Sequence, residues 1–380
     1  MGSEFVVEDG RDPAGLADRW RAAWRASPRP SPFLSWTWIS AWLAATGARP
    51  ALLSGPRSGD GEALGFLCRA PGTGRRRVFA LNECGDPGLD APFIEHNGLA
   101  GWADDGEAVA GLARFLVEAR RAGPLEGWDE LRLGGVPRAW ADGFAAAGLT
   151  VARRAEQPTF AVDLAALRAA GADLAATLET TTRRQIRRAL ALYVRRGPLR
   201  LERVGQAPAR RAVAARLRTL HQARWQAVGR PGAFASPVFD AHAAALVDGG
   251  VESGEVELLQ VSAGEATIGI LLNLVAGDRV ASYVSGFVRE RDNRLKPGLV
   301  CHALAIERHA AEGRSTYDLL AGEARYKRSL AAESAPLVWL SVFPGALSAW
   351  RAAGRRVLAR WRAATVNARR TEHEDPAPRA

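Results

Sequence analysis

Residues 279–330 contain the pattern that most restricts how this chain can fold. Residues 280–288 alternate in polarity and are rich in β-branched and aromatic side chains, which predicts a strand. Residues 298–311 carry apolar side chains at helical spacing, and a second strand is predicted to begin at Tyr317. Because a strand, a helix and a strand with short connections form a right-handed crossover, the two strands should be parallel, with the helix on one face of the sheet. The sequence therefore predicts an α/β fold.

The loop that opens the predicted helix is suited to binding an anion. Pro297 fits the first turn of a helix, and Gly298 lets a ligand approach the backbone amides closely. Amide groups and the positive end of the helix dipole favour phosphate groups, and a pyrophosphate would also meet the cations of the loop. The residues assigned to this anion site are Arg291, Arg294, Lys296, Gly298 and Leu299.

Lysine is rare in this sequence. Of the 51 Lys and Arg residues, two are lysines, Lys296 and Lys327, and both lie within residues 279–330. A compact ammonium differs chemically from a guanidinium fork, which indicates a specific role for lysine at these two positions. Two residues are also few enough for chance to account for the pattern.

The composition is that of a globular protein. Hydrophobic residues make up 47% and charged residues 24%, and 380 residues suffice for two domains with cores of their own. The sequence has no apolar run of about 18 residues and no signal-peptide pattern, so a cytoplasmic protein without membrane insertion is expected. The three cysteines, Cys68, Cys84 and Cys301, lack metal-ligand spacing, so reduced thiols and no metal are expected.

The net charge of +10 raises the question of a polyanionic partner. The positive charge is concentrated at residues 183–196 and from Trp350 onward, where a basic helix and a disordered tail are predicted. The arginines at 183–196 are typical of a solvated helix face, or they form a phosphate site. A nucleic-acid partner and a phosphate-bearing cofactor are both compatible with this charge.

The loop at residues 82–98 is rich in side chains that bind ligands. Glu95 and Asn97 would hold an acceptor that carries an amine or a hydroxyl group. The alternative is an ordinary turn in which Asp and Asn side chains satisfy backbone amides. The carboxylates are too irregularly spaced for calcium, and one histidine is too few for zinc.

Trp38 and His221 each allow two interpretations. Trp38 lies one helical turn before Trp42, and such aromatic residues are usually core, although Trp38 could instead line a substrate cleft. His221 lies on a predicted helix at residues 208–228 and is either a general base or a hydrogen-bonded structural residue. Both are retained as candidates for binding the acceptor.

Several short segments, in this order and spacing, resemble one family. The chain resembles the GNAT acyltransferase superfamily, and most closely its CelD-like branch, which is named for cellulose biosynthesis and is related to the Fem aminoacyltransferases. The loop before residue 298 lacks the full glycine-rich signature of simple GNAT enzymes. The segments that carry the resemblance are Phe33-Leu-Ser-Trp-Thr-Trp with Trp42, Arg183-Arg-Gln-Ile-Arg-Arg, Leu220-His-Gln-Ala-Arg-Trp, Gly286-Phe, Pro297-Gly, Tyr317-Asp-Leu-Leu-Ala-Gly-Glu and Tyr326-Lys-Arg.

The resemblance implies two tandem GNAT-like domains with mixed sheets flanked by helices. Residues 1–164 would be a degenerate copy, residues 165–348 the acyltransferase domain, and residues 349–380 the basic helix and tail. An N-acetyltransferase is implied, with acetyl-CoA or another acyl-CoA as donor and a small-molecule, sugar or amino-acid amine as acceptor. The acceptor would lie between residues 82–98 and 318–327. A charged tRNA as donor, and a non-catalytic module in polysaccharide assembly, are the alternatives.

Acyl transfer to an amine requires a proton acceptor and a group that stabilises the oxyanion. The resemblance assigns transition-state stabilisation to Lys327. Asp318 and Glu323 are candidate bases or acceptor ligands, although Asp318 could instead cap the next helix. Tyr283 and Ser285 occupy alternate positions of a predicted strand, so both are expected to face one side and to hydrogen-bond the acyl or leaving group.

Overall fold

The computed structural model describes residues 5–9, 13–57, 61–102, 106–121, 123–350 and 352–353. Most of the predicted basic C-terminal helix and the whole predicted tail lie outside these residues.

The two halves of the chain repeat one order of elements. Each half runs strand, two helices, three strands, helix, strand, helix, strand, which confirms the prediction of two tandem domains of like α/β fold. The first copy comprises β1 (Val6–Asp9), α1 (Pro13–Ala26), α2 (Trp36–Thr46), β2 (Ala51–Arg57), β3 (Gly61–Arg69), β4 (Val78–Leu81), α3 (Gly106–Ala119), β5 (Glu130–Pro137), α4 (Ala139–Ala146) and β6 (Thr150–Asp163).

Three helices connect the two copies. They are α5 (Leu164–Ala169), α6 (Leu174–Thr177) and α7 (Thr180–Val194). The second copy comprises β7 (Leu199–Arg203), α8 (Ala207–Gln226), α9 (Pro237–Ser253), β8 (Val256–Ala263), β9 (Ala266–Ala276), β10 (Arg279–Phe287), α10 (Pro297–Ala311), β11 (Thr316–Ala321), α11 (Arg325–Leu330) and β12 (Ala332–Phe343).

All twelve strands form one sheet, in the order β1-β2-β3-β4-β5-β12-β6-β11-β10-β9-β8-β7. The last strand of each copy is exchanged: β12 pairs with β5 of the first copy, and β6 pairs with β11 of the second. The strands β6 and β12 also pair with each other. Because of this exchange the copies share backbone hydrogen bonds, and the domain boundary at residues 164/165 stays a prediction.

Each copy contains one parallel strand pair, and in both copies that pairing is short. In the first copy β4 and β5 are joined over three residue pairs, and in the second β10 and β11 are joined from Arg279 to Ala281. The helices α3 and α10 make the crossovers, as predicted for the second copy. Beyond the paired residues the two strands separate, so each copy has a gap in its sheet.

One hydrophobic core joins the two copies on one face of the sheet. It includes Trp20, Trp38 and Trp42 from the first copy and Phe239 and Tyr283 from the second. Two further cores lie on the other face, one in each copy. The helices α2 and α9 pack closely, since a Cβ on Gly250 would lie 2.8 Å from Thr37 Cγ2. The cysteines Cys68, Cys84 and Cys301 are buried free thiols.

No helix in the described part of the chain is long and apolar enough to cross a membrane.

Candidate functional site

The gap between β10 and β11 defines the centre of the candidate site. After Ala281 the strand β10 continues to Phe287 without pairing to β11, and a bulge interrupts it between Ser282 and Val284. The strand β11 has its own irregularity between Asp318 and Ala321, where Leu320 adopts a φ of 66°. A positive φ is strained for a leucine, and such strain is concentrated at functional sites.

Lys327 lies at this gap with its ammonium buried. It is 8% exposed, and its Nζ donates to Leu320 O at 3.1 Å and Ala321 O at 2.5 Å. Burial lowers the pKa of Lys327, while the charges of Glu95 and Asp318 oppose that shift. An ammonium has three N–H donors, so one remains for a ligand.

A loop from the first copy reaches across to β11. Glu95 is 6% exposed, and its Oε2 accepts the backbone N–H of Ala321 at 2.7 Å. His96 Nε2 lies 2.8 Å from Asp318 Oδ2, and Asp318 Oδ1 accepts the backbone N–H of Leu320 at 2.7 Å. The structure therefore brings Glu95, Asp318 and Lys327, which are far apart in sequence, into one cluster.

Two asparagines hold this loop in the gap of the first copy. Asn82 Nδ2 donates to Asn97 Oδ1 at 2.9 Å, and Asn97 Nδ2 donates to Leu81 O at 3.0 Å. The backbone N–H of Asn97 donates to Gly135 O at 3.0 Å, and a Cβ on Gly135 would lie 2.7 Å from Ile94 O. Asn97 therefore positions the loop, and its side-chain hydrogen bonds are made within the protein.

His96 was not among the residues selected from the sequence. Burial works to lower the pKa of His96, but the hydrogen bond and charge of Asp318 outweigh it and raise that pKa. Burial likewise works to raise the pKa of Asp318, and the hydrogen bond to His96 outweighs it, so that pKa is lowered. The side chain of His96 is 28% exposed and its backbone has a φ of 48°. Nothing local in the sequence pairs His96 with Asp318.

His96 and Asp318 open onto a cavity of about 440 Å³ at the junction of the two copies. Its walls come from the segment after α1, the loop at residues 96–99, the start of α4, and the beginnings of β10 and β12. Arg29, Arg138 and Arg279 line it together with Trp140. This cavity is large enough for a small molecule and has a positively charged wall.

A second cavity, of about 640 Å³, lies at the N-terminus of α10. Lys296, with a φ of 44°, precedes the helix and lines the cavity with Gly298 and Leu299. Arg224 from α8 and Arg289 after β10 contribute the other cations. The helix has no side-chain cap, so its first amides remain for a ligand. Tyr326 and His302 also line the cavity and stack at 5.3 Å, and Tyr326 directly precedes Lys327 in sequence.

Arg291 and Arg294 do not line this cavity. Arg294 is exposed and pairs with Asp292 at 2.7 Å, and Arg291 is exposed. Arg224 and Arg289 line the cavity in their place. Arg289 directly follows a predicted strand, so its position in the sequence could have identified it as a residue of this cavity. The position of Arg224 depends on how α8 packs, which the sequence does not show.

The bulge in β10 separates Tyr283 from Ser285. Tyr283 packs against Phe33 and Phe239 in the core shared by the two copies. Gly286 faces α8 on that same side, since its Cβ would lie 2.8 Å from Leu217 O, so by alternation Ser285 faces the other side. The expectation that both face one side was therefore wrong, because a bulge shifts the alternation by one residue.

The hydroxyl group of Tyr283 is buried and has no hydrogen-bond partner among the described residues. Burial raises the pKa of Tyr283, and the charge of Glu95 adds to that shift. A neutral phenol near Glu95 therefore borders the gap.

His221 is held by two backbone groups. Its Nδ1 lies 3.0 Å from Ser285 O, and its Nε2 accepts the N–H of Ala233 at 3.3 Å. Burial lowers the pKa of His221, which keeps the ring neutral. Both ring nitrogens are engaged, so His221 fastens α8 to β10, as the structural interpretation of the sequence anticipated.

Trp38 and Glu323 lie away from both cavities. Trp38 is 1% exposed and meets His242 edge-on at 5.0 Å in the shared core. Glu323 is exposed and pairs with Arg328 at 3.2 Å. Neither lines a described cavity.

Much of the basic face of α7 is used within the protein. Arg183 donates to three backbone carbonyls, Arg187 pairs with Asp173 at 3.3 Å, and Arg196, just after the helix, pairs with Glu290 at 2.8 Å. These contacts connect α7 to its neighbours and reduce the charge that it offers to a partner.

One cluster in the described part of the chain has the geometry of a metal site, namely Glu257, His309 and Glu312. Arg203 lies between the two carboxylates, at 2.9 Å from Glu257 and 2.8 Å from Glu312. Because a guanidinium already supplies the positive charge there, this cluster is a structural ion-pair network.

Comparison with known proteins supports a family assignment for the second copy. Residues 180–328 match the model of the acetyltransferase (GNAT) domain. None of the curated proteins compared with the sequence matches it.

Solved structures with this fold cover most of the chain. FemX matches with a TM-score of 0.57 and 14% identity, over 87% of this chain and 94% of FemX. A conserved protein of unknown function from Bacteroides thetaiotaomicron matches with a TM-score of 0.56 and 12% identity, over 89% of this chain and 100% of that chain. The C-terminal domain of a putative lysylphosphatidylglycerol synthetase from Agrobacterium fabrum matches with a TM-score of 0.53 and 15% identity, over 91% and 97%. At such identities the likeness is one of fold.

Proposed function

Because the chain is a GNAT-superfamily acyltransferase with the fold of FemX, we propose that it transfers an acyl group from acyl-CoA to the amine of a small-molecule acceptor. Acetyl-CoA is the first candidate donor. The observation that carries the proposal is the cavity of about 640 Å³ at the start of α10, next to the gap that contains Lys327.

The walls of that cavity match the parts of an acyl-CoA. Lys296, Arg224 and Arg289 supply positive charge beside free helix amides, which suits a pyrophosphate. Glu290 also lines the cavity and pairs with Arg196. Leu220, Val228 and other apolar side chains form much of the remaining wall, which suits the uncharged arm of the donor. The unpaired edge of β10 beyond Ala281 offers backbone groups to an extended chain.

The cluster at the gap supplies the groups that acyl transfer requires. The amine nitrogen forms a bond to the thioester carbon, the carbon–sulfur bond breaks, and the thiolate leaves and is protonated. Lys327 has one N–H left to stabilise the charge that develops on the carbonyl oxygen. His96 would take the proton of the amine at Nδ1, while Asp318 holds the ring through Nε2. Glu95 would position Ala321, whose carbonyl binds Lys327.

Isothermal titration calorimetry tests the donor site, using acetyl-CoA and longer acyl-CoAs. Lys296→Ala should weaken binding by about tenfold or more, since it removes a charge-assisted contact. Arg294→Ala is the matched control, because Arg294 belongs to the same loop but pairs with Asp292 outside the cavity. Failure of every acyl-CoA to bind, or equal loss in the two variants, would refute this donor site.

Release of the free thiol from acetyl-CoA in the presence of amines tests the chemistry. Lys327→Met should bind donor normally but turn over about 100-fold more slowly, as expected when an oxyanion donor is removed. Donor binding without thiol release from any amine would instead indicate a non-catalytic binding module.

An aminoacyl-tRNA donor is the second candidate. The observation that favours it is the set of exposed arginines on α7 and at its C-terminal end, Arg184, Arg188 and Arg195. Binding of charged tRNA should weaken steeply as salt rises, whereas binding of acyl-CoA should change far less. A comparison of both ligands at two salt concentrations therefore separates the candidates.

A further inference from the structure

We propose that the acceptor is an amine that also carries an anionic group, a carboxylate or a phosphate, and that this group binds in the cavity of about 440 Å³ beside His96 and Asp318. This inference rests on the proposed acyl transfer and specifies the chemical class of its acceptor.

The charges that line the cavity favour an anion. Three arginines, Arg29, Arg138 and Arg279, line it, and Asp318 is the one acidic residue among its described walls. Both oxygens of Asp318 are engaged, one with His96 and the other with the N–H of Leu320. The charge of Arg279 does contribute to lowering the pKa of Asp318, but one carboxylate faces three guanidinium groups, so the cavity keeps an excess of positive charge.

The hydrogen-bond donors of the cavity also lack acceptors. The Nε1–H of Trp140 is buried without a partner among the described residues, although Trp140 is 2% exposed. Neither Arg279 nor Arg29 makes a hydrogen bond or ion pair to a described side chain, and Arg138 reaches Glu156 only at 3.9 Å. Arg29 and Arg138 are exposed and Arg279 is half-buried, so water can reach them, whereas the N–H of Trp140 is buried. Buried donors are nearly always paired in folded proteins, so the unpaired Trp140 indicates an acceptor group from a ligand.

The strand register sets the spacing between the anion and the amine. Ala281 pairs with Asp318, and Arg279 lies two residues earlier on the same strand and on the same face. Arg279 is therefore about 7 Å along the sheet from the pair of His96 and Asp318. An amine at His96 and an anion at Arg279 are thus separated by the length of a small molecule.

Matched pairs of amines that differ in the anionic group test the proposal. The probes are L-alanine against L-alaninamide, O-phosphoethanolamine against ethanolamine, and glucosamine 6-phosphate against glucosamine. Their affinities for the full-length protein are measured by calorimetry without any donor, and their rates by thiol release from acetyl-CoA. The anionic member of at least one pair should bind about tenfold or more tightly than its neutral partner, as expected for a charge-assisted contact.

Substitutions assign the effect to the cavity. Arg279→Gln should remove the preference for the anionic probe, and Arg29→Gln, which changes an exposed residue, should reduce it without affecting folding. Arg200→Gln is the control, since Arg200 is exposed on the edge strand β7 far from the cavity. The pair that shows the preference distinguishes a carboxylate from a phosphate.

The outcomes separate this inference from the proposed function. Equal affinity for the members of every pair, no binding of any anionic amine, or a preference that survives both arginine substitutions overturns the inference, even if acetyl-CoA binds as proposed. An anionic preference that depends on Arg279 in a protein that binds no acyl-CoA supports the assigned cavity and refutes the proposed donor.

Discussion

Glu95 is the residue whose substitution tests the candidate site most directly. Its carboxylate is 6% exposed, and its Oε2 accepts the N–H of Ala321 from the other copy. Burial raises the pKa of Glu95 above its usual 4.5, even though Ala321, His96 and Lys327 act in the opposite direction. Folding therefore disfavours the ionised form of Glu95.

The sign of the effect on stability follows from that shift. A carboxyl group with a raised pKa contributes stability below its unfolded value, and this contribution is lost as the pH rises through the folded value. Glu95→Gln keeps the shape and an oxygen acceptor for Ala321 but never ionises. We therefore expect it to be as stable as the wild type near pH 4 and at least as stable near pH 8.

Glu95→Ala should behave differently, because it leaves the N–H of Ala321 without its acceptor. An unsatisfied, partly buried amide costs about 1–3 kcal/mol of unfolding free energy. At about 1.3 °C for each kcal/mol in a chain of 380 residues, Glu95→Ala should melt about 1–4 °C below Glu95→Gln.

Thermal unfolding followed by tryptophan fluorescence measures this difference, at pH 4 and pH 8. Thiol release from acetyl-CoA should fall in both variants, because each removes the charge beside Lys327. If Glu95→Gln melts as low as Glu95→Ala at both pH values, the hydrogen bond to Ala321 and the cost of the buried charge have been assigned incorrectly.

Two further predictions concern His96 and the packing of α8. In Asp318→Asn the pKa of His96 should fall, because Asp318 raises it in the wild type. The acidic limb of kcat/KM against pH should therefore move to lower pH, and the maximal rate should drop. An acidic limb that stays in place would contradict the pairing of His96 with Asp318. Gly286→Ala should destabilise the protein by about 1–3 kcal/mol in urea unfolding, because its Cβ would lie 2.8 Å from Leu217 O, a backbone atom of α8. Gly249→Ala is its control, since Gly249 is a helical glycine whose added Cβ would have no heavy atom within 4 Å. This change should stabilise the protein by about 0.5–1 kcal/mol. Equal effects of the two changes would show that contact with α8 does not limit the side chain at Gly286.

Local patterns in the sequence determined much of the second copy. The strand, helix and strand at residues 279–330 were predicted from periodicity, and Pro297 with Gly298 located the start of α10. These predictions succeed because periodicity, helix capping and turn chemistry act between residues that are close in the chain. Trp38 is buried in the core, which is the usual position of such aromatic residues, and it lines neither cavity.

The site itself depended on contacts that no local pattern encodes. The resemblance implied that residues 82–98 and 318–327 face each other, but no local pattern encodes that contact. The pairing of β6 and β12 across the two copies places the loop of the first copy on β11 of the second. His96 was missed because its partner, Asp318, is distant in the chain. The bulge in β10, which turns Ser285 away from Tyr283, likewise arises from strand pairing.

The sequence by itself determined the class of fold and the start of α10, since each depends on the order of neighbouring residues, whereas the tandem repeat was implied by the resemblance to a family. The tertiary structure decided which cations line the cavity at the start of α10 and which histidine pairs with Asp318. Arg224 and His96 reach their positions through the packing of α8 and the docking of one copy on the other. Such contacts arise because burial of apolar surface across the whole chain brings together residues that are far apart in the sequence.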